Sequence, residues 1–229
     1  MELNTSTVST LQNFAGINPN VVVRTGNTIK TMTEARNVVA SAKLTQEFPR
    51  EFGIYDLSEF LSVVNLVDSP TLDFTDDKSV TISDVNNLSR VRYFYSDIDI
   101  LTTPTNQVKM PDPELKFTLD QATLDKIKRA ATALGHDQVK ITRSETEGNI
   151  CFTVFDENNA TSNTFNVEIP HTFISDDTVP FEMIYNISNL KLMALDYEVS
   201  VSKAMVSHFT NEQQGLEYWI ALERTSKWG

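Results

Sequence analysis

Cysteine and glycine are both scarce in this sequence of 229 residues. Cys151 is the only cysteine, so no internal disulfide can form, which fits a reducing compartment. Its position in the alternating run NICFTVF predicts a buried thiol on a strand. The 7 glycines form none of the motifs G-x-G-x-x-G, G-x4-G-K-S/T or G-x-S-x-G. Glycine-rich phosphate-binding loops and nucleophile elbows are therefore excluded.

Long apolar runs and secretion signals are also missing. No run approaches the roughly 18 residues of a membrane span. The N-terminal segment MELNTSTVST lacks the basic and apolar regions of a signal peptide. We therefore expect a protein that is neither secreted nor embedded in a membrane. With 40% hydrophobic residues, the chain can form a globular core.

Residues that could support catalysis or metal binding are few and scattered. His136, His171 and His208 have no metal-ligand spacing, so no metal site is predicted. The adjacent carboxylates Asp76–Asp77 and Asp176–Asp177 fall in predicted turns, where neighbouring side chains point apart into solvent. A dispersed triad is still compatible with the sequence. We predict neither an enzyme nor a bound cofactor.

Basic residues are outnumbered throughout the chain. The 19 Lys and Arg face 31 Asp and Glu, which gives a net charge of -12. When the chain is divided after Met110, the first half has 9 basic and 13 acidic residues and a net charge of -4. The second half has 10 basic and 18 acidic residues and a net charge of -8. Phosphate recognition normally needs Lys and Arg. Any contact with nucleic acid must therefore be local.

An internal repeat sets the predicted architecture. IYDLSEFLSVV begins at Ile54 and IYNISNLKLMA begins at Ile184, 130 residues later. Each is predicted to form a short amphipathic helix, the first capped by Asp56. The order of helix, strands, short helix and strands occurs in both halves. We predict two similar α+β domains, 1–98 and 117–229, each with two helices packed on antiparallel β-sheet, joined by an extended connector, 99–116.

The remaining predicted elements follow from periodicity. Helices are predicted from Thr7 to Gly16 and from Thr118 to Gly135. A hairpin is predicted around Thr25-Gly26-Asn27. The other strands are VVASAKL, TLDF, SVTIS and VRYFYS in the first half, and QVKITRS, NICFTVF, NTFNVEI, YEVSVSKA, MVSHF and LEYWIALE in the second.

One helix carries a basic cluster, formed by Lys126, Lys128 and Arg129 in LDKIKRAATAL. Apolar residues occupy the other face, so these cations are expected to point outward together. Lys191, on the second short helix, adds another. A solvated helix face and a phosphate-binding face are both compatible with this pattern. In the connector, Val108 and Met110 could be anchors or part of a binding ledge.

The segments STLQNFAGINPNVVVRTGN and FGIYDLSEFLSVVNLV, together with the duplication, the connector and the acidic balance, resemble the sliding clamps of DNA replication. The resemblance is nearest to the clamps of T4-type bacteriophages and covers essentially the whole chain. It implies the DNA-clamp fold and a homotrimeric ring around duplex DNA. Lys126, Lys128, Arg129 and Lys191 would face that DNA. The first helix departs from the pattern, since it contains no Lys or Arg.

A size estimate supports three subunits. Four helices per subunit, about 9 Å apart and roughly 10 Å thick, would leave a hole of about 24 Å in a trimer and about 13 Å in a dimer. Duplex DNA is roughly 20 Å across. The smallest closed ring that fits is a cyclic trimer.

The resemblance also implies partners. These are duplex DNA without sequence preference, the phage DNA polymerase, an ATP-driven clamp loader and the late-transcription apparatus, in the cytoplasm of the host cell. Partner peptides would dock near Val108, Met110 and Pro111 in the connector. The alternative is a duplicated structural or adaptor protein, such as a virion component, which would have no need for cations gathered on one helix.

Overall fold

The computed structural model describes residues 1–86, 88–105 and 108–229, so Asn87 and, in the predicted connector, Asn106 and Gln107 lie outside it. The chain divides into two compact units. The first comprises Met1–Gln107 with Gln213–Leu216, and the second Val108–Glu212 with Glu217–Gly229. Their boundary falls inside the predicted connector.

The first unit packs two α-helices on antiparallel strands. Its strands run in the orders β3-β2-β1-β4 and β5-β6-β7. The elements are α1 (Thr5–Ile17), β1 (Val21–Val23), β2 (Gly26–Met32), β3 (Val38–Phe48), β4 (Phe52–Ile54), α2 (Leu57–Asn65), β5 (Thr71–Asp73), β6 (Ser79–Ser83) and β7 (Arg90–Phe94).

Local chemistry explains these elements. The two helices, the hairpin and the predicted strands of this half are confirmed, but β4 was not predicted, and α2 begins at Leu57 because Ile54 belongs to β4. The Asp56 side chain caps α2 by accepting a hydrogen bond of 2.9 Å from the Glu59 amide. The apolar stripe of α2, Leu57, Phe60, Leu61 and Val64, is buried. Gly26 opens β2 with a φ of 107°, a conformation that favours glycine. The predicted hairpin thus pairs β1 with β2 in antiparallel register.

The second unit has one α-helix on a larger set of antiparallel strands. The strand order is β16-β12-β9-β10-β11-β8-β13-β14-β15. The elements are β8 (Leu115–Leu119), α3 (Gln121–Leu134), β9 (Gln138–Arg143), β10 (Asn149–Phe155), β11 (Phe165–Ile174), β12 (Phe181–Asn186), β13 (Tyr197–Ser202), β14 (Val206–Asn211), β15 (Leu216–Ala221) and β16 (Lys227–Trp228).

The prediction of a second short helix at Ile184 is wrong. Ile184 lies in β12, and only a 3-10 turn, Ile187–Asn189, follows. In α2 the stripe at i, i+3 and i+4 is apolar, but in the second copy its i+4 position holds Lys191. The structure instead buries Leu190 and Leu192, on either side of Lys191, in irregular chain that follows the 3-10 turn.

The structure corrects three further predictions. The described part of the chain has three α-helices, so the ring-size estimate from four helices per subunit loses its basis. The long helix begins at Gln121, because Thr118 belongs to β8. Cys151 is only partly buried, since Ile150 and Phe152 on either side take the inward positions of β10.

The chain after β7 crosses β4 and reaches the loop that precedes β1. The Ser96 amide donates to the Gly53 carbonyl at 2.9 Å, and the Thr102 amide donates to Asn20 Oδ1 at 2.9 Å. A Cβ on Gly53 would lie 2.7 Å from both Leu101 Cδ1 and the Ser96 carbonyl oxygen. The absence of a side chain at Gly53 is therefore what allows this close approach.

Gly53→Ala should lower the free energy of unfolding by about 1–3 kcal/mol, because the new methyl group forces apart packed chain segments. Gly16→Ala is the matched control. Nothing lies within 4 Å of its added Cβ, and alanine favours the helix, so stability should rise by up to about 1 kcal/mol. Urea unfolding measures both. Similar changes for the two variants would contradict the placement of Ser96 and Leu101 over β4.

Candidate nucleic-acid interface

Helix α3 is fixed at both ends. The Asp120 side chain accepts a hydrogen bond of 2.6 Å from the Thr123 amide, and Asp196 accepts one of 2.8 Å from the Gln121 amide. At the other end Gly135 is left-handed, with a φ of 68°, and His136 N–H bonds the Ala131 carbonyl at 3.0 Å. Caps at both ends hold the helix in one register on the sheet.

The buried and exposed faces of α3 are well separated. Leu124, Ile127 and Ala131 are buried, and the helix packs against β9, β10 and β11. Lys126 and Arg129, three residues apart, are both exposed and form no ion pair among the residues that the structure describes. Arg129 Nε donates a hydrogen bond of 3.4 Å to the Asp125 carbonyl of its own helix, and neither side chain is held in an ion pair in that part of the chain, so both cations can contact an anion.

The charge on this face also affects the helix cap. Hydrogen bonds from Thr123, with a smaller contribution from the charge of Lys126, hold the pKa of Asp120 below its usual range. The carboxylate is therefore ionised near neutral pH, where it favours the N-terminus of α3. This stabilisation is present above the ordinary pKa and is lost as pH falls through the lowered one.

The prediction that Lys128 faces outward with the other two cations is wrong. Lys128 is partly buried, and burial lowers the pKa of its amine, with an opposing effect from Asp125. Two helical steps of about 100° place it far around the helix from Lys126. The exposed basic pair is thus Lys126 and Arg129.

Lys191 occupies a different setting from the one predicted. It lies on irregular chain between the buried Leu190 and Leu192, and its side chain is partly exposed. In the first unit, α1 and α2 contain no Lys or Arg, and the exposed positions of α2 include Ser58, Glu59 and Ser62. Every Lys or Arg on an α-helix of the described chain is therefore on α3.

The predicted docking residues lie on irregular chain before β8. Val108 and Met110 are partly exposed and Pro111 is exposed. The segment is tied down further along by Glu114, whose buried carboxylate accepts a 2.7 Å hydrogen bond from the Lys203 amide. Burial alone would raise the pKa of Glu114, but hydrogen bonds from Lys203 and Ser202 lower it. Sequence periodicity contained no indication of this anchor, which joins residues 89 apart.

In the part of the chain that the structure describes, no three His, Cys, Asp or Glu side chains lie close enough together to hold a metal ion. No helix there is long and apolar enough to cross a membrane.

Comparison with known proteins identifies the family. The chain is 30% identical over 226 residues to the sliding clamp of Vibrio phage KVP40, a match that covers 97% of this chain and 99% of that relative. The chain belongs to the sliding-clamp family. The sequence profile of the DNA polymerase processivity factor family matches residues 4–98. The sliding clamps of Escherichia phage RB69 and Enterobacteria phage T4 are 24% and 25% identical, each over 99% of this chain and 98% of the relative.

Solved structures confirm the clamp fold. Proliferating cellular nuclear antigen (PCNA) of Entamoeba histolytica is similar with a TM-score of 0.68, at 14% identity over 94% of each chain. PCNA of A. fulgidus has a TM-score of 0.70, at 10% identity over 96% of each chain. For the pol III beta protein of Caulobacter crescentus the TM-score is 0.68 at 14% identity, with 95% of this chain matching 64% of that one. The sequence resemblance to T4-type clamps is thus confirmed, and the structural-protein alternative has no support.

Proposed function

We propose that this sliding clamp encircles duplex DNA as a homotrimeric ring and tethers the replicative polymerase without catalysing a reaction itself. The observation that carries the DNA-facing part is the exposed pair Lys126 and Arg129 on α3, in a protein of net charge -12. Lys128 contributes less to DNA contact because it is partly buried, and Lys191 contributes from outside a helix.

The charge distribution suits sliding. Lys and Arg side chains neutralise phosphates without reading bases, so the contact energy is similar at every position along the duplex. The acidic remainder of the protein repels DNA, which keeps the attraction local. A closed ring then holds the polymerase near its template and raises the effective concentration of the enzyme there.

Ring closure is proposed to use two open strand edges. Among the described strands β7 pairs only with β6, and residues 165–170 of β11 pair only with β10, because β8 joins β11 from His171 onward. An unpaired edge is a template for another strand. Arg90 is exposed on β7 and Glu168 on β11, so the two edges carry opposite charges.

The two edges lie on different units, so a contact between them is heterologous and can close into a ring. The number three comes from the family resemblance. It predicts a particle of about three times the 25.8 kDa of one chain.

Partner docking is proposed near Val108, Met110 and Pro111. The A. fulgidus PCNA structure was solved with the C-terminal region of FEN-1 bound, which supports peptide docking on a clamp of this fold. The ATP-driven loader, the late-transcription role and a location in the host cytoplasm stay predictions from the family resemblance.

Reversal of the exposed pair, Lys126→Glu with Arg129→Glu, should leave the fold intact and reduce DNA association. We expect a several-fold loss of polymerase processivity and a shallower dependence of DNA association on salt, because two phosphate contacts become repulsive. Primer extension on a long template, with loader, measures the first, and a salt titration of DNA binding the second.

The matched control is Lys78→Glu with Lys227→Glu, which changes the net charge equally at two exposed positions away from α3. Near wild-type processivity is expected for it. An equal loss of processivity in both double variants would mean that the total charge of the protein, not its position on α3, causes the effect. Unchanged processivity in the α3 variant would refute the DNA-facing role.

Phe94→Asp should weaken ring assembly. The Phe94 side chain lies on β7 and is 62% exposed, so a carboxylate there hardly affects folding but would be buried at the proposed interface. Light scattering at micromolar concentration should show a shift from trimer toward monomer.

Tyr55→Asp is the control for Phe94→Asp, since Tyr55 is 63% exposed and lies outside β7. It should remain trimeric. A wild-type protein that stays monomeric, or a Phe94 variant as trimeric as wild type, would count against closure through β7.

A further inference from the structure

A polar pocket of about 300 Å³ lies in the first unit, between β1, β2 and the chain that crosses β4. β1 and β2 form its floor, where the side chain of Val22 is buried. Thr28 and Lys30 stand two residues apart on β2 and therefore project to the same side of the sheet. The chain that crosses β4 at Gly53 continues into Thr103, Pro104 and Thr105, which form the opposite wall.

The position of this wall is fixed by contacts that precede it. The Leu101 side chain is buried beside Gly53, and the Thr102 amide is bonded to Asn20, just before β1. The main chain at Thr103 is therefore held beside Val22, and the pocket is a built feature of the fold.

The pocket carries positive charge in an acidic protein. Lys30 is partly buried and makes no ion pair among the described residues. Arg24 pairs with Glu51 at 3.4 Å, but both side chains are exposed, so this pair is weak. Arg24, Lys30 and Glu51 together carry +1, and Lys43, the cross-strand partner of Thr28, adds an exposed cation on the same face of the sheet. A partly desolvated cation of this kind gains from an anionic partner.

We propose that this pocket binds a carboxylate of an extended partner peptide, with Lys30 as the main cation and Arg24 and the threonine hydroxyls as further donors. The proposal rests on the proposed function, because it supplies a charged anchor at the same connector where partners are expected to dock. No sequence pattern indicated the site, since Lys30 and Thr103 are distant along the chain.

The apolar part of the pocket favours an organic carboxylate over inorganic phosphate. The buried Val22 and the ring of Pro104 add apolar surface for a neighbouring side chain. A pocket that combines a few donors with apolar walls is typical of sites for organic ligands.

The test uses the full-length protein and three short peptides. These are acetyl-Gly-Leu-Phe with a free C-terminal carboxylate, the same peptide as its carboxamide, and acetyl-Leu-Asp-Phe carboxamide, in which only a side chain is acidic. Amide chemical shifts of Thr25, Thr28 and Thr103 are followed by NMR during titration. The free acid should bind about tenfold more tightly than its carboxamide, which corresponds to one charge-assisted contact. Comparison with the third peptide shows whether the terminal or a side-chain carboxylate is preferred.

Lys30→Gln should bring the affinity for the free acid down to that of the carboxamide. Lys78→Gln is the matched control, because Lys78 is exposed and does not line the pocket. It should bind as wild type does. Equal affinity for acid and carboxamide, the absence of any shift at millimolar peptide, or tighter binding of inorganic phosphate would each overturn the proposal.

A functional assay separates this site from the DNA-binding role. Lys30→Gln should lower polymerase stimulation severalfold while the mass of the particle and its retention on DNA stay at wild-type values. Normal stimulation by this variant would overturn a role in polymerase docking. A wild-type protein that forms no trimer, or that is not retained on DNA, would instead refute the proposed function.

Discussion

A net charge of -12 in a protein that is proposed to surround DNA is the constraint on which the rest depends. DNA is a dense polyanion, so an evenly acidic surface would repel it. Favourable contact therefore requires a few cations held in one place and pointing in one direction. Helix α3 meets this requirement through its Asp120 cap, its left-handed Gly135 and an apolar face that packs on three strands.

Two groups of basic residues on this chain are proposed to make different kinds of contact. Lys126 and Arg129 lie exposed on a helix, where, in the proposed role, they would exchange one phosphate for the next with little change in energy. Lys30 lies partly buried in a walled pocket, where a single carboxylate would be held in a fixed geometry. The proposed contact with DNA therefore uses exposed cations, whereas the proposed contact with a partner peptide uses a partly buried one.

Much of the fold follows from local sequence patterns. Strand alternation, the Gly26 hairpin and the stripe of α2 depend on neighbouring residues, and these predictions were confirmed. The second short helix was mispredicted because one lysine, Lys191, interrupts an otherwise similar stripe. For the site, Lys126 and Arg129 could be placed from helical periodicity, but the burial of Lys128 depends on packing. The Lys30 pocket and the Glu114 anchor join residues far apart in the chain, so periodicity contains no trace of them.

Topological linkage to DNA is the central claim, and retention on circular compared with linear DNA tests it most directly. Labelled protein would be loaded by its clamp loader onto nicked circular DNA, washed at high salt to remove electrostatic contacts, and then treated with a restriction endonuclease that cuts the circle once. The proposed ring predicts that the protein stays on the circle through the wash and is released after the cut. Loss during the wash, or retention on the linear product with free ends, would contradict it.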